Sequence, residues 1–345
     1  MIVPFAHFYR FFFFFYPYLK TVILIFGDAL KTLYFLVGPT AVGKTDCALS
    51  WAQELNAEIL CCDSLLVYRG MNIGTAKPTP SQQKTVQHHG LDLVPPSQPY
   101  CIADYVRMAK AAVIAIAQRE RKVLVTGGSG FYLKSFFYPV IDQIAVSPII
   151  RKRVRQLEAE KGLEGMVKAL QSLNPEGLGE LDTKNPRRVA NALMRCLASG
   201  KTISELLASY KNQAQPFESW NKRVICLQRD TDDLHQRIEA RAESMIALGL
   251  VEEVKQLLEQ GLEQNPQAAS AIGYRETIQY LAEGKSVDWL KENISGNTRR
   301  LAKKQMNWFR KHIPIDQLQH MNNPDSKSFN EWDLEAAQTS GQKSG

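Results

Sequence analysis

Metal-binding and disulfide patterns are what this sequence most plainly lacks. Cys47, Cys61, Cys62, Cys101, Cys196 and Cys226 include no C-x-x-C pair, and no histidine stands near them at ligand spacing. That excludes a structural zinc and a disulfide framework, and it points to a reducing compartment. Cys61 and Cys62 fall in an apolar run and read as small core residues. An unbroken apolar run of membrane length is also missing. Met1 to Phe26 is rich in aromatics, with Phe11 to Phe15 consecutive, but Pro4, His7, Arg10, Pro17 and Lys20 interrupt it; a span wants about 20 mostly apolar residues. Nor is there the leucine- or alanine-rich centre and small-residue cleavage site of a secretory signal. Three readings stand for residues 1–30: an upstream start that adds residues foreign to the domain, a weak membrane-associating segment, or an aromatic arm packed on the body. The first is the expectation, because the first strand begins only near Lys31, and a cytoplasmic location without membrane attachment follows from it. No internal repeat is visible, and no heptad or apolar patch argues for more than a monomer or for a stable protein partner.

What is present begins with size and charge. At 345 residues the chain is long enough for two lobes. Lys plus Arg is 42 against 35 Asp plus Glu, a formal net charge of +7. That balance is compatible with a nucleic-acid partner without requiring one.

The chain is organised around Gly38-Pro39-Thr40-Ala41-Val42-Gly43-Lys44-Thr45, which fits G-x-x-x-x-G-K-S/T at every fixed position. The apolar run Thr32 to Val37 before it reads as a buried parallel strand, and Ala48, Leu49, Ala52 and Leu55 after it mark one face of a helix. In that context the glycines let backbone N–H groups and a helix N-terminus face a phosphate. Lys44 supplies charge to the terminal phosphates, and the Thr45 hydroxyl is placed to ligate Mg²⁺.

A second strand, Ala57 to Cys62, leads to Asp63 and Ser64. A long surface connection is expected over 78–100, a helix over Ile102 to Ala117, and a third strand at Lys122 to Thr126 before Gly127-Gly128-Ser129-Gly130. From Ser147 to about Tyr210 the periodicity is helical, with Arg151 to Lys161, Gly165 to Leu173, Pro186 to Leu197 and Ser204 to Leu207 as segments. One more strand, Arg223 to Leu227, precedes helices at Asp232 to Leu248, Val251 to Gln260, Tyr274 to Leu281 and Trp289 to Lys311. The expected architecture is α/β, a P-loop parallel sheet with helices on both faces and an inserted all-helical lobe. Residues 31–140 and 221–312 form the core, 141–220 the insertion and 313–345 a disordered tail.

Asp63, at the carboxyl end of a strand, has three open roles: a Mg²⁺-linked acid, a general base or a helix-capping aspartate. Ser129 lies in a turn that is either only a tight connection or a place for a working hydroxyl. Basic clusters recur at Arg151 to Arg155, Arg187 and Arg188, and Arg299 to Lys304. Helical basic faces are usually just solvated. Arg299 with Lys303 and Arg300 with Lys304 are, however, like-charge i,i+4 pairs, which repel unless an anion lies across them. Together the clusters suggest a polyanionic second substrate.

Several of these motifs occur in one order: the phosphate loop, Asp63-Ser64, Val67-Tyr68-Arg69-Gly70-Met71-Asn72-Ile73-Gly74-Thr75-Ala76-Lys77-Pro78, Gly127 to Tyr132, Asn185-Pro186-Arg187-Arg188, Ile272-Gly273-Tyr274-Arg275, and Thr298 to Gln305. In this the chain resembles the bacterial tRNA dimethylallyltransferases, over roughly residues 33 to 312. The resemblance implies transfer of the dimethylallyl group from dimethylallyl diphosphate to N6 of the adenine just 3′ of the anticodon, with the phosphate loop holding a diphosphate. It implies that Asp63 hydrogen-bonds and deprotonates the N6 amine, and that Ser129 stands beside the reacting centre. It also implies tRNA contacts from Asp63, Ser64, Leu65 and Leu66, from Arg151, from Pro186, Arg187, Arg188, Val189 and Ala190, and from Arg300, Leu301, Ala302, Lys303, Lys304 and Gln305. Two positions depart from the family pattern. Ser129 replaces the threonine of most members, keeping the hydroxyl, and Ser270 stands where some carry a phosphate-contacting arginine, a loss for which Arg275 is the candidate replacement. The competing readings are a small-molecule kinase holding ATP on the same loop and an RNA-binding module with a vestigial loop.

Overall fold

The computed structural model describes residues 32–140, 144–211 and 213–321. The aromatic segment at 1–30 and the tail from 322 onward lie outside the described residues. The chain divides into two compact units, one of them Tyr138–Pro216 and the other the segments up to Phe137 and from Phe217.

The second unit is built on β1 (Thr32–Val37), whose six residues are all buried. A strand apolar on both faces needs cover on both, and its alternation feeds two cores. Leu33, Phe35 and Val37 pack with Tyr105, Phe136 and Phe309, while Tyr34 and Leu36 pack with Ala48 and Trp51. With β2 (Ala57–Cys61), β3 (His88–His89), β4 (Lys122–Gly127), β5 (Asn221–Gln228) and β6 (Gln317–His320) it forms one sheet in the order β3-β2-β4-β1-β5-β6. Every pairing is parallel, which is the α/β arrangement expected. Around the sheet lie α1 (Lys44–Glu54), α2 (Pro80–Thr85), α3 (Ile102–Gln118) and α4 (Gly130–Lys134). The all-helical unit then follows, with α5 (Pro148–Ser172), α6 (Pro186–Ser199) and α7 (Ile203–Lys211). After β5 come α8 (Thr231–Ala247), α9 (Leu250–Glu259), α10 (Pro266–Ala269), α11 (Tyr274–Glu283) and α12 (Val287–His312).

Three expectations need correction. The connection at 78–100 contains α2 and β3, whose two residues pair with Ile59 and Leu60. A two-residue strand leaves no periodicity to read. The tail is structured as far as β6, a mostly exposed strand held to β5 by its backbone ladder and by Asp316, whose carboxylate accepts from Val224 N at 2.6 Å. A polar edge strand carries no hydropathy signal. The insertion ends at Pro216, not 220, because Phe217 stacks on Phe136 at 5.3 Å inside the sheet core and Phe136 in turn meets Phe35 at 5.3 Å.

The helical unit has its own core of Val154, Met166, Leu170, Val189, Leu193 and Cys196. The two segments expected at 151–161 and 165–173 form one helix interrupted at Gly162, whose φ of 59° is non-helical. Buried Asn174 ties the unit together, donating to Leu170 O at 2.7 Å and accepting from Ile203 N at 2.6 Å. At the start of α6, Asn185 caps the helix by accepting from Arg188 N.

Candidate active site

The phosphate loop joins the end of β1 to α1. Gly43 is the helix N-cap with φ 106°, and no side chain caps the first turn, so its N–H groups are presented by a left-handed turn that a Cβ would strain. Ala41 shares the left-handed region at φ 64° without being glycine, a conformation that persists only when its surroundings enforce it. Those surroundings are named side chains. Arg237 Nε donates to Ala41 O at 2.9 Å and Arg229 Nε to Val42 O at 2.8 Å. Lys44 Nζ donates to Gly38 O and Pro39 O at 2.9 and 2.7 Å. Burial, and next the charge of Arg241, lower the Lys44 pKa to about 8, against an opposing pull from Asp63.

Asp63 lies two residues beyond the end of β2. Its Oδ1 accepts from Leu65 N at 2.9 Å, which anchors one carboxylate oxygen. Ser129 Oγ accepts from Ser64 N at 2.9 Å and lies 3.3 Å from Ser64 Oγ. The ends of β2 and β4 therefore touch, and Gly127 is what permits it, since a Cβ there would sit 2.0 Å from Cys62 O. The Ser129 hydroxyl is engaged in holding the Asp63–Ser64 turn.

Lys44, Thr45, Asp63, Gly128, Arg241 and Gln305, among others, line one cavity of about 590 Å³, and Ser129 is not on its wall. Leu65, Met245, Ile272, Ile294 and Leu301 supply an apolar part of its wall. A pocket with a phosphate cradle, a carboxylate and apolar wall residues suits an amphiphilic phosphate ester reacting with a second group at the carboxylate. For a metal, the described residues contain no cluster of three His, Cys, Asp or Glu side chains. The oxygens of Thr45 and Asp63, both on the cavity wall, fit a hydrated Mg²⁺ that completes its shell with phosphate oxygens.

Arg241 lines the cavity too, a candidate that motif reading missed. It donates to Thr75 O at 3.4 Å. Burial lowers its pKa, and the Asp63 carboxylate pulls the other way. A signal was present: Arg237 and Arg241 are four apart on α8, the same like-charge spacing that singled out α12. Glu253 was missed too. Its Oε2 accepts from Asn72 N and Ile73 N at 3.0 and 2.7 Å, and its Oε1 from Gly74 N at 3.2 Å and Tyr274 OH at 2.7 Å. One carboxylate thus pins the loop that brings Gly74 and Thr75 to the cavity. Arg275, the candidate replacement at the Ser270 departure, is paired with buried Glu276, and the cavity's arginines are Arg237 and Arg241.

The expected tRNA contacts fall into three groups. Asp63, Leu65 and Leu66 line the cavity. On α12, Arg300, Lys303 and Lys304 are exposed and Leu301 and Gln305 line the cavity, but Ala302 is buried. Arg299 is neutralised by Glu239 at 2.6 Å, so its repulsion with Lys303 is relieved inside the protein. In the helical unit Arg151, Pro186, Arg187 and Arg188 are exposed and Ala190 is partly covered. Val189 has its side chain in that unit's core at 0% exposure, leaving only its backbone for contact.

A model of the IPP transferase family matches residues 66–312. A tRNA dimethylallyltransferase of Opitutus terrae is 52% identical over 282 residues, covering 82% of this chain and 91% of the relative. One of Bacillus velezensis is 38% identical over 286 residues, covering 83% and 90%. Among solved structures, a full-length tRNA isopentenylpyrophosphate transferase from Bacillus halodurans superposes with a TM-score of 0.61 at 30% identity, covering 84% of this chain and 90% of that one. A eukaryotic dimethylallyltransferase acting on tRNA shares the fold, with a TM-score of 0.73 at 23% identity over 90% and 77% of the two chains.

Proposed function

The chain belongs to the IPP transferase family, and from that premise we propose that its cavity moves a dimethylallyl group from dimethylallyl diphosphate to N6 of the adenine immediately 3′ of the anticodon in tRNA. Prenylation of tRNA is the function of its relatives and of this chain. The observation that carries the proposal is that the phosphate loop and Asp63 line one cavity.

In the step proposed, the bond from the allylic carbon to the diphosphate oxygen breaks as the bond from N6 to that carbon forms. The diphosphate leaves, and the N6 proton passes to Asp63. An adenine amine is a poor nucleophile, so a carboxylate within hydrogen-bond reach is needed. The Leu65 N–H holds one Asp63 oxygen and so aims the group. Negative charge grows on the leaving diphosphate, and Lys44, N–H groups of the loop and Arg241, which share the cavity wall, would offset it. Mg²⁺ held at Thr45 would share that neutralisation when bound. The apolar wall keeps water from the allylic carbon as it gains positive character. The adenine reaches this recessed pocket by leaving its stack, while Arg300, Lys303 and Lys304 on α12 and Arg151, Arg187 and Arg188 in the helical unit meet tRNA phosphates. Cations in the first turn of α6 oppose the helix dipole, and an anionic partner relieves that conflict. The enzyme acts as a monomer in the cytoplasm, where its tRNA substrate is. Among the described residues no helix is long and apolar enough to cross a membrane.

The test is mass spectrometry of nucleosides from unmodified tRNA incubated with the protein, Mg²⁺ and dimethylallyl diphosphate. N6-dimethylallyl adenosine is expected with the intact protein. Asp63→Ala should lower the rate about 10³-fold or more while tRNA affinity stays within about 3-fold. Transfer from ATP, with dimethylallyl diphosphate ignored, would restore the kinase reading.

A further inference from the structure

Gln305 holds two parts of the site that are far from it in sequence. Its Oε1 accepts from Thr40 N at 2.8 Å, and its Nε2 donates to Gly128 O at 2.9 Å. A backbone N–H can only donate and a carbonyl can only accept, so these partners fix which way the amide points. Both contacts need a donor and an acceptor on one side chain of this length. Ionised glutamate, lysine or arginine could satisfy one partner but not both. The opposing surface is shaped to the amide, because a Cβ on Gly128 would lie 2.5 Å from Gln305 Nε2.

The two parts it joins are the two sides of the reaction. Thr40 belongs to the phosphate loop, directly before the left-handed Ala41. Gly128 precedes Ser129, whose hydroxyl holds the Ser64 N–H beside Asp63. Gln305 is therefore one continuous link from the diphosphate cradle to the carboxylate side. It stands on the same helix as exposed Arg300, Lys303 and Lys304.

We infer that Gln305 is a positioning residue, fixing the phosphate loop against the Asp63 side of the cavity and so setting the affinity for the diphosphate. This rests on the diphosphate reading above, and it differs from the tRNA contact that the family resemblance implies for the same residue. The loop's curvature is held by three side chains: Gln305 takes one N–H, while Arg237 and Arg229 take the next two carbonyls. With the Gln305 link cut, Thr40 and the Gly127–Ser129 turn move independently. The cost falls first on the diphosphate.

The experiment measures dissociation constants for inorganic diphosphate and for dimethylallyl diphosphate without tRNA, and for tRNA without either, in the intact protein, Gln305→Ala, Gly128→Ala and the double variant. Gln305→Ala should weaken both diphosphates about 5- to 10-fold, the worth of one or two neutral hydrogen bonds, with tRNA affinity within about 2-fold. Gly128→Ala should give a similar loss by displacing the amide. The double variant should be no worse than Gln305→Ala alone, since the amide that the added methyl group would strike is gone; such non-additivity is the signature of a direct pair. Gln305→Met, which keeps the volume and not the hydrogen bonds, should match Gln305→Ala and guards against loss by unfolding. Weaker tRNA binding with unchanged diphosphate binding would overturn the inference, and so would additive losses in the cycle. An intact protein that bound neither diphosphate would instead overturn the donor reading on which this one rests.

Discussion

Lys44 and Arg188 are both proposed to meet phosphate, and the protein holds them in opposite ways. Lys44 is folded onto its own loop, donating to Gly38 O and Pro39 O, and burial with Arg241 nearby lowers its pKa to about 8. Arg188 extends from the first turn of α6 with its side chain 65% exposed, 3.7 Å from an exposed Asp182 carboxylate. In the sheet unit, desolvated cations are set against one another, an arrangement that a polyanion relieves strongly and only when it is placed correctly. In the helical unit, solvated cations add small, screened and nearly independent contributions. The first arrangement suits chemistry and the second suits grip.

The sharpest way to break that contrast is Arg241→Ala. Removing a half-buried cation from the place where leaving-group charge develops should lower kcat/KM for dimethylallyl diphosphate about 10²-fold, leaving the tRNA dissociation constant within about 2-fold. Arg241→Lys should recover only part of it, because the ammonium lacks the planar fork that spans two oxygens. Equal losses for donor and tRNA would erase the distinction between the two kinds of cation.

A smaller effect is expected where the charges are solvated. Arg187→Ala with Arg188→Ala should weaken tRNA binding about 10-fold near 0.1 M salt, and the slope of log K against log salt should fall by about 0.7 to 0.9 for each phosphate no longer neutralised. The donor KM should not move. Titrating tRNA binding with salt in the variant and the intact protein checks both statements together.

This division also explains what could be read from the chain. Local features were legible: β1, β2, β4 and β5, the phosphate loop, and the long helices all carry period or motif within about ten residues. Asp63 was legible because a parallel strand delivers its last residues to the ligand side. Glu253 was not, and Gln305 was named only as a tRNA contact, since their structural roles lie in Thr40, Gly128 and Asn72 to Gly74, which come from distant parts of the chain. The stretch from Tyr68 to Pro78 was recognisable as a family pattern while its physical reason was hidden. That reason is a loop pinned by one carboxylate, with Tyr274 set so closely that a Cβ on Gly74 would lie 2.5 Å from its ring. β6 and β3 were lost for the opposite reason, being held by backbone pairing that side-chain type does not report.

The least effect on activity is expected at the other end of the sheet, where charge is compensated within the fold. Glu58, near the start of β2 and 4% exposed, accepts from Arg119 Nε at 2.9 Å and Nη2 at 2.7 Å, and its Oε2 lies 2.6 Å from His89 Nε2. The Arg119 hydrogen bonds first, and that of His89 after burial has pulled the other way, hold its carboxyl below the usual carboxylate range. A carboxylate with a lowered folded pKa contributes stability that is present above its unfolded value, about 4.3, and is lost as pH falls through the folded value. Glu58→Gln should therefore cost about 1 to 3 kcal/mol at pH 7 and flatten the fall in stability below about pH 5, with kcat and both KM values unchanged at pH 7. Denaturant unfolding across a pH series reads the stability terms. A parallel acid limb in the two proteins would mean that Glu58 ionisation is not coupled to folding. A shifted donor KM would mean that the two ends of the sheet are not independent, and the contrast between compensated and ligand-relieved charge would then have to be redrawn around the sheet as a whole.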